Sequence, residues 1–106
     1  MDYTKIDAYI DAHKDELIAD IGTLVSFDSE RRDPEDGAPF GREAAECLAA
    51  AVKIVERTGF AAKNYDSYIV TADFDPALEP GLDILAHLDV VPAGNGWTKT
   101  DPFKML

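Results

Sequence analysis

The spacing of the apolar residues changes at Gly59, and this change constrains the fold more than any other feature of the chain. Before Gly59 the apolar residues recur at helical spacing, about 3.6 residues per turn, in the stretches 4–26 and 42–57. After Gly59 they alternate with a period of two, as in β-strands. The sequence therefore predicts an α/β fold in which two helices are followed by a small sheet of about three strands.

The two predicted helices differ in how apolar they are. In residues 4–26 charged residues separate the apolar positions, which is typical of an amphipathic helix, and Thr4 with Asp7 is predicted to cap its start. Residues 42–57 are apolar over most of the helix circumference, so this second helix is predicted to be largely buried. Gly59 is predicted to end it.

Three stretches after Gly59 have the composition and period of strands. Residues 60–64 and 68–74 are predicted to form two of them, with a turn at Asp66–Ser67. The third, residues 82–91, has apolar residues on both faces near its middle. That pattern favours a central strand that is covered on both sides.

Composition excludes several classes of function. The chain of 106 residues is 46% hydrophobic and fits one domain or a piece of one. Its net charge of -11, without a Lys/Arg cluster, disfavours nucleic acids and anionic membrane surfaces. No apolar stretch approaches the roughly 20 residues of a membrane span. The single cysteine, Cys47, is expected to be a buried apolar residue, and with no secretory signal visible it favours a cytoplasmic location.

His87 and Asp89 are the candidates for chemistry. They stand two residues apart at the end of the third predicted strand, so their side chains should project from the same face. A loop rich in Gly and Pro follows, and α/β sheets usually hold their chemistry at such strand ends. An isolated His-x-Asp pair favours a simpler interpretation, in which the histidine forms a local hydrogen bond and the aspartate belongs to a turn.

The residues around the pair make the signal more specific. The string AHLDVVPAGNGWTKTDPFKM resembles the first metal-ligand motif of the zinc-dependent exopeptidases and deacylases, the superfamily of acetylornithine deacetylase, glutamate carboxypeptidase and carnosinase-like dipeptidases. It is most similar to the bacterial dipeptidase branch, peptidase V, whose members cleave Xaa-His and other dipeptides. The segments LVSFDSE and PFGREAAECLAAAVKIVERTGF also fit this branch, so the resemblance covers nearly the whole chain.

The resemblance implies that residues 1–106 are the N-terminal portion of a metallopeptidase catalytic domain, without its lid domain and its remaining catalytic segments. It implies that His87 binds one of two Zn²⁺ ions, while Asp89 acts in catalysis by orienting the histidine or tuning the site. The family also needs a bridging aspartate, a Glu-Glu pair, a further carboxylate and a second histidine. None of these is recognised here, and the other histidine, His13, is interpreted as a solvated helix residue.

Two further expectations follow from the resemblance. The complete enzyme should act on dipeptides, whereas the isolated chain should be inactive and should associate with itself through exposed apolar surface.

The polar segment 28–41 is predicted to be a loop with solvated carboxylates. In the resembling family such a loop lies near the rim of the active site. Ser29 and Arg31 are therefore minor candidates for a functional role.

Two interpretations from other classes remain open. The chain could be a noncatalytic binding or regulatory module on a relict peptidase fold, in which case it would take up no zinc and would bind a specific protein. It could also be a purely structural piece of a helix–sheet domain, stabilised by self-association. A molecular mass in solution that rises with protein concentration would identify this self-associating structural piece.

Overall fold

The computed structural model describes residues 2–79 and 81–106, and it has the predicted α/β arrangement. The element order is helix α1 (Tyr3–Val25), helix α2 (Arg42–Arg57), strand β1 (Ala61–Tyr65) and strand β2 (Ile69–Asp73). The two strands form an antiparallel sheet. The bounds of both helices agree with the sequence prediction to within one residue.

Helix α1 begins one residue earlier than predicted, and this changes its cap. The side chain of Asp2 accepts a hydrogen bond from the backbone N–H of Thr4 at 3.1 Å, so Asp2 is the N-cap. The predicted capping pair of Thr4 and Asp7 is wrong, because both residues lie inside the helix. None of the α1 residues is buried, and most of its apolar side chains, such as Leu17 at 58%, remain exposed.

Helix α2 is the central element, since it packs against α1 and against both strands. Only Cys47, which is 1% exposed, is fully buried in it, and the other apolar side chains are mostly half-buried. The prediction of a largely buried helix is therefore wrong in extent. One helix and a two-stranded sheet cover only part of its circumference. The guanidinium of Arg57 links α2 to α1 through Asp20, with Nη2 2.6 Å from Oδ1, and through Glu16 at 3.4 Å.

The β-hairpin confirms the predicted turn at Asp66–Ser67. These residues have φ angles of 51° and 60°, and the N–H of Tyr68 donates to the carbonyl of Tyr65 at 3.0 Å. Positive φ at both central positions is the geometry of a type I′ turn, whose twist suits antiparallel strands. The side chain of Asn64 also accepts from the N–H of Ser67 at 2.9 Å.

The third predicted strand is not formed in the described part of the chain. Residues 82–91 have no strand partner there, since β1 and β2 pair only with each other. A strand is defined by ladder hydrogen bonds to a neighbour, so its apolar pattern alone cannot create one. The prediction that both faces are covered is also wrong for these residues, because Ile84 is 85% exposed and Leu85 is 91% exposed.

The segment between the helices is an ordered loop that folds back on itself. The N–H of Arg32 donates to the carbonyl of Phe40 at 2.9 Å, and Glu35 and Ala38 exchange two backbone hydrogen bonds at 3.0 Å. Gly41 has a φ of 96°, and an added Cβ would lie 2.7 Å from Cβ of Arg32. This close approach needs glycine for both its conformation and its lack of a side chain.

Three carboxylates of this loop are paired, which corrects the prediction that they are simply solvated. Asp28 and Glu30 contact the guanidinium of Arg32 at 3.0 and 2.8 Å. Glu35 contacts Arg42, the first residue of α2, at 2.8 Å. The hydrogen bond and the charge of that arginine lower the pKa of Glu35. These pairs tie the loop to itself and to the start of α2.

Candidate functional site

The imidazole of His87 lies directly beside Asp89. Its Nδ1 is 3.3 Å from the carboxylate Oδ1 of Asp89 and 3.0 Å from the backbone carbonyl oxygen of the same residue. The two side chains therefore lie on the same side of the chain. Both are largely exposed, at 82% for His87 and 71% for Asp89.

The contacts at Nδ1 determine which ring nitrogen can bind a ligand. A carbonyl oxygen and a carboxylate oxygen can only accept hydrogen bonds, so they favour the tautomer of the neutral ring that carries its proton on Nδ1. The lone pair is then on Nε2, which points away from both acceptors. A histidine whose Nδ1–H is held by an oxygen acceptor is the usual form of a zinc ligand. His87 thus fits the role of a single metal ligand.

Ser29 connects this pair to the helical part of the chain. Its hydroxyl donates a hydrogen bond to the carbonyl of Leu88, the residue between His87 and Asp89, at 2.6 Å. The Ser29 side chain is only 2% exposed. Sequence reasoning attached a minor expectation to Ser29 through the resemblance but missed this contact. No local pattern could have predicted it, because the two residues are 59 positions apart.

Cys47 of α2 lies beside Ser29 and anchors it. Its Sγ is 3.9 Å from the carbonyl oxygen of Leu24 near the end of α1. Burial raises the pKa of the Cys47 thiol, and a hydrogen bond with Ser29 lowers it in part. The thiol is therefore buried and largely protonated at neutral pH, as expected for a small apolar residue.

The remaining candidates do not join the pair. His13 lies on α1, where its Nδ1 is 2.8 Å from the carbonyl oxygen of Tyr9 and its ring stacks on the Tyr9 ring at 4.1 Å. It is exposed, as predicted. The guanidinium of Arg31 is 5.6 Å from the centre of the Phe40 ring, within the loop. Within residues 2–79 and 81–106, no group of three or more His, Cys, Asp and Glu side chains lies close enough together to hold a metal ion.

In the part of the chain that the structure describes, neither helix combines the length and the apolar character that a membrane span requires.

Comparison with known proteins identifies peptidases as the related class. No protein-family model matches the chain. It is 34% identical over 97 residues to the Beta-Ala-Xaa dipeptidase of Lactobacillus delbrueckii subsp. lactis, an alignment that covers 90% of this chain and 20% of the relative. It is 32% identical over 92 residues to YtjP of Bacillus subtilis, whose name proposes a dipeptidase, covering 85% of this chain and 19% of that protein.

A protein of Staphylococcus saprophyticus, whose name also proposes a dipeptidase, is 34% identical to this chain over 93 residues. That alignment covers 86% of this chain and 19% of the relative. The resemblance to the bacterial dipeptidases that the sequence predicted is therefore confirmed. The chain is related to these proteins over most of its length. It spans about a fifth of the length of the curated relatives that it matches.

Proposed function

We propose that this chain contributes His87 and Asp89 to the metal site of a zinc-dependent dipeptidase. The relatives named as dipeptidases support the substrate class, although the chain spans only about a fifth of their length. The observation that carries the proposal is the contact of His87 Nδ1 with the two Asp89 oxygens, at 3.0 and 3.3 Å. It leaves the Nε2 lone pair available to a metal ion.

The two residues have separate tasks in this proposal. His87 holds the ion through Nε2, and Asp89 holds the Nδ1–H, which keeps the ring in one tautomer and one orientation. Bound zinc would supply the chemistry common to metallohydrolases, which is to acidify water and to polarise the carbonyl of the scissile amide. Two Zn²⁺ ions are proposed for the complete site, and the further ligands and the general base would come from residues other than these.

The isolated chain is proposed to be inactive and to bind zinc only weakly. One imidazole with a neighbouring carboxylate is part of a tetrahedral site, whereas a catalytic zinc normally has three protein ligands. The expected result is no hydrolysis of dipeptides by the chain with added Zn²⁺. Metal-dependent turnover by the isolated chain would contradict this.

The test of the site is His87→Ala in a complete enzyme that carries this sequence. We expect loss of dipeptide hydrolysis and of about one of the two bound zinc ions, because the ligand itself is removed. His13→Ala is the matched control, since it removes an exposed histidine that lies on α1. Hydrolysis and zinc content close to those of the wild type in the His87 variant would refute the proposal.

The isolated chain is also proposed to associate with itself, as a structural piece with bare apolar surface would. Leu82, Ile84, Leu85 and Val91 are each at least 80% exposed. Burying a few hundred Å² of such surface stabilises a complex at roughly 25 cal/mol per Å². The charge of -11 opposes association, but salt screens repulsion beyond about 8 Å. Light scattering over a concentration series decides this, and a monodisperse monomer at high concentration would contradict it.

The noncatalytic alternative and the location in the cell are tested separately. A binding module without catalysis would take up no zinc even in the complete protein and would bind a specific protein partner.

The buried, unpaired Cys47 supports a reducing compartment, and we propose a cytoplasmic location. Fractionation of the source cells measures that location directly.

A further inference from the structure

We infer that Ser29 is a positioning residue for the metal site: its hydroxyl holds the Leu88 peptide and thereby keeps His87 and Asp89 together. This inference rests on the proposed function, because it concerns the same pair of side chains. Ser29 touches neither the metal nor the substrate in this assignment. It acts through the backbone of the residue between the two functional groups.

The hydrogen bond itself is short and shielded from water. The distance from Ser29 Oγ to the carbonyl oxygen of Leu88 is 2.6 Å, at the short end for an O–H···O bond. The serine side chain is 2% exposed, so water has little access to replace the hydroxyl if it is removed. The carbonyl would then lose its partner in a partly buried environment, which costs more than the loss of an exposed bond.

The position of this hydrogen bond in the chain lets it fix the backbone geometry of the site. Within the described residues it is the one hydrogen bond that joins residues 81–106 to residues 2–79. The segment 82–91 has no ladder bonds that could hold it in another way. The Leu88 carbonyl belongs to the peptide unit that joins Leu88 to Asp89, so fixing it limits rotation about the backbone bonds on either side of that unit, between His87 and Asp89. Both functional side chains depend on those rotations.

Ser29 is itself held firmly, which a positioning residue requires. It packs beside Cys47, the most buried side chain of α2. The loop that carries it is closed by the bond between the N–H of Arg32 and the carbonyl of Phe40, and by the ion pair of Arg32 with Asp28. The contact therefore transmits the placement of the helices to the His87–Asp89 pair.

A purely structural role would give Ser29 the same burial, so the experiment must separate the two roles. The variants are Ser29→Ala, which removes the hydroxyl, and Ser29→Thr, which retains it. Ser26→Ala is the matched control. Its hydroxyl also donates to a backbone carbonyl, that of Thr23 at 2.7 Å, but this bond is exposed and lies at the end of α1.

Two quantities are measured for each variant. The first is the tautomer of the His87 ring in the metal-free chain, from the ring nitrogen signals in NMR at about pH 8, above the ordinary range of imidazole titration. The second is the affinity of the complete enzyme for Zn²⁺ in competition with a chelator. Urea unfolding of each variant provides the stability against which both are compared.

We expect Ser29→Ala to produce a mixture of both tautomers and to weaken Zn²⁺ binding about tenfold, as the loss of outer support for a metal ligand does. Ser29→Thr should recover most of the affinity, and Ser26→Ala should change it by less than about twofold. A Ser29→Ala variant that loses stability but keeps the wild-type tautomer and zinc affinity would overturn the inference.

Failure of the proposed function would look different. In that case His87→Ala would leave zinc binding unchanged, and Ser29 could have no role in a metal site. The NMR signal of His87 would still show whether Ser29 holds the segment. If Ser29→Ala does not fold, Ser29→Cys, which has a similar shape and a much weaker donor, takes its place in both measurements under reducing conditions.

Discussion

Asp89→Asn tests how strongly the carboxylate supports His87 as a metal ligand. The substitution keeps the shape of the side chain and keeps the backbone carbonyl, which lies 3.0 Å from Nδ1. It removes the negative charge at 3.3 Å. Because Asp89 is 71% exposed, water screens that charge strongly, and replacing the charge-assisted contact with Nδ1–H by a neutral one is expected to cost about 1 kcal/mol.

This loss corresponds to about fivefold weaker zinc binding. The figure is a minimum for the complete enzyme, where any burial of the pair increases the effect, up to the 10- to 100-fold range (roughly) seen for such supporting groups. The ion itself should remain bound, because His87 is still present. Turnover should fall more than zinc content, since orientation of the ligand also affects the reacting geometry.

The assay is a competition titration with a chelator, together with dipeptide hydrolysis at saturating zinc. Asp83→Asn is the matched control, since it removes an exposed carboxylate from the same segment, four residues before His87. Unchanged affinity and turnover in Asp89→Asn would refute the supporting role. A loss of zinc as complete as that of His87→Ala would show instead that Asp89 binds the metal directly.

Three further predictions concern the scaffold of the site. Gly41→Ala should lower the free energy of unfolding by about 2 kcal/mol in urea, because φ is 96° and the new Cβ would lie 2.7 Å from Cβ of Arg32. An equal cost for Gly37→Ala, where the space is open, would contradict the clash. A double-mutant cycle of Arg57→Ala and Asp20→Asn should give a coupling of about 0.5 to 1 kcal/mol that falls at about 1 M salt. No coupling would exclude the link between the helices. Cys47 should resist thiol reagents until the chain is unfolded. The pKa of the Cys47 thiol is raised in the folded state. The protonated thiol therefore contributes fully to the free energy of unfolding at a pH below its unfolded pKa, and this contribution should be lost as the pH rises through the folded pKa. Rapid modification at neutral pH would contradict the burial of the thiol, and urea unfolding that shows no such fall in stability with pH would contradict the raised pKa.

Local signals explain why some elements could be predicted from the sequence. The helix at residues 42–57 agrees with α2 because its period and the stop at Gly59, with a φ of 92°, are properties of neighbouring residues. The turn at Asp66–Ser67 is likewise local. The sharing of one side by His87 and Asp89 follows from a spacing of two residues. The capping error at α1 was also local, a shift of the start by one residue to Tyr3.

The tertiary structure decided what depends on residues far apart in the chain. The segment 82–91 has the pattern of a covered strand, but a ladder needs a neighbouring strand, and no spacing within the segment can provide one. The same reason applies to the extent of burial of α2, which is set by what packs against it. The contact of Ser29 with Leu88 is the clearest example. A hydroxyl and a carbonyl 59 residues apart meet only because Cys47 and the folded loop bring them together.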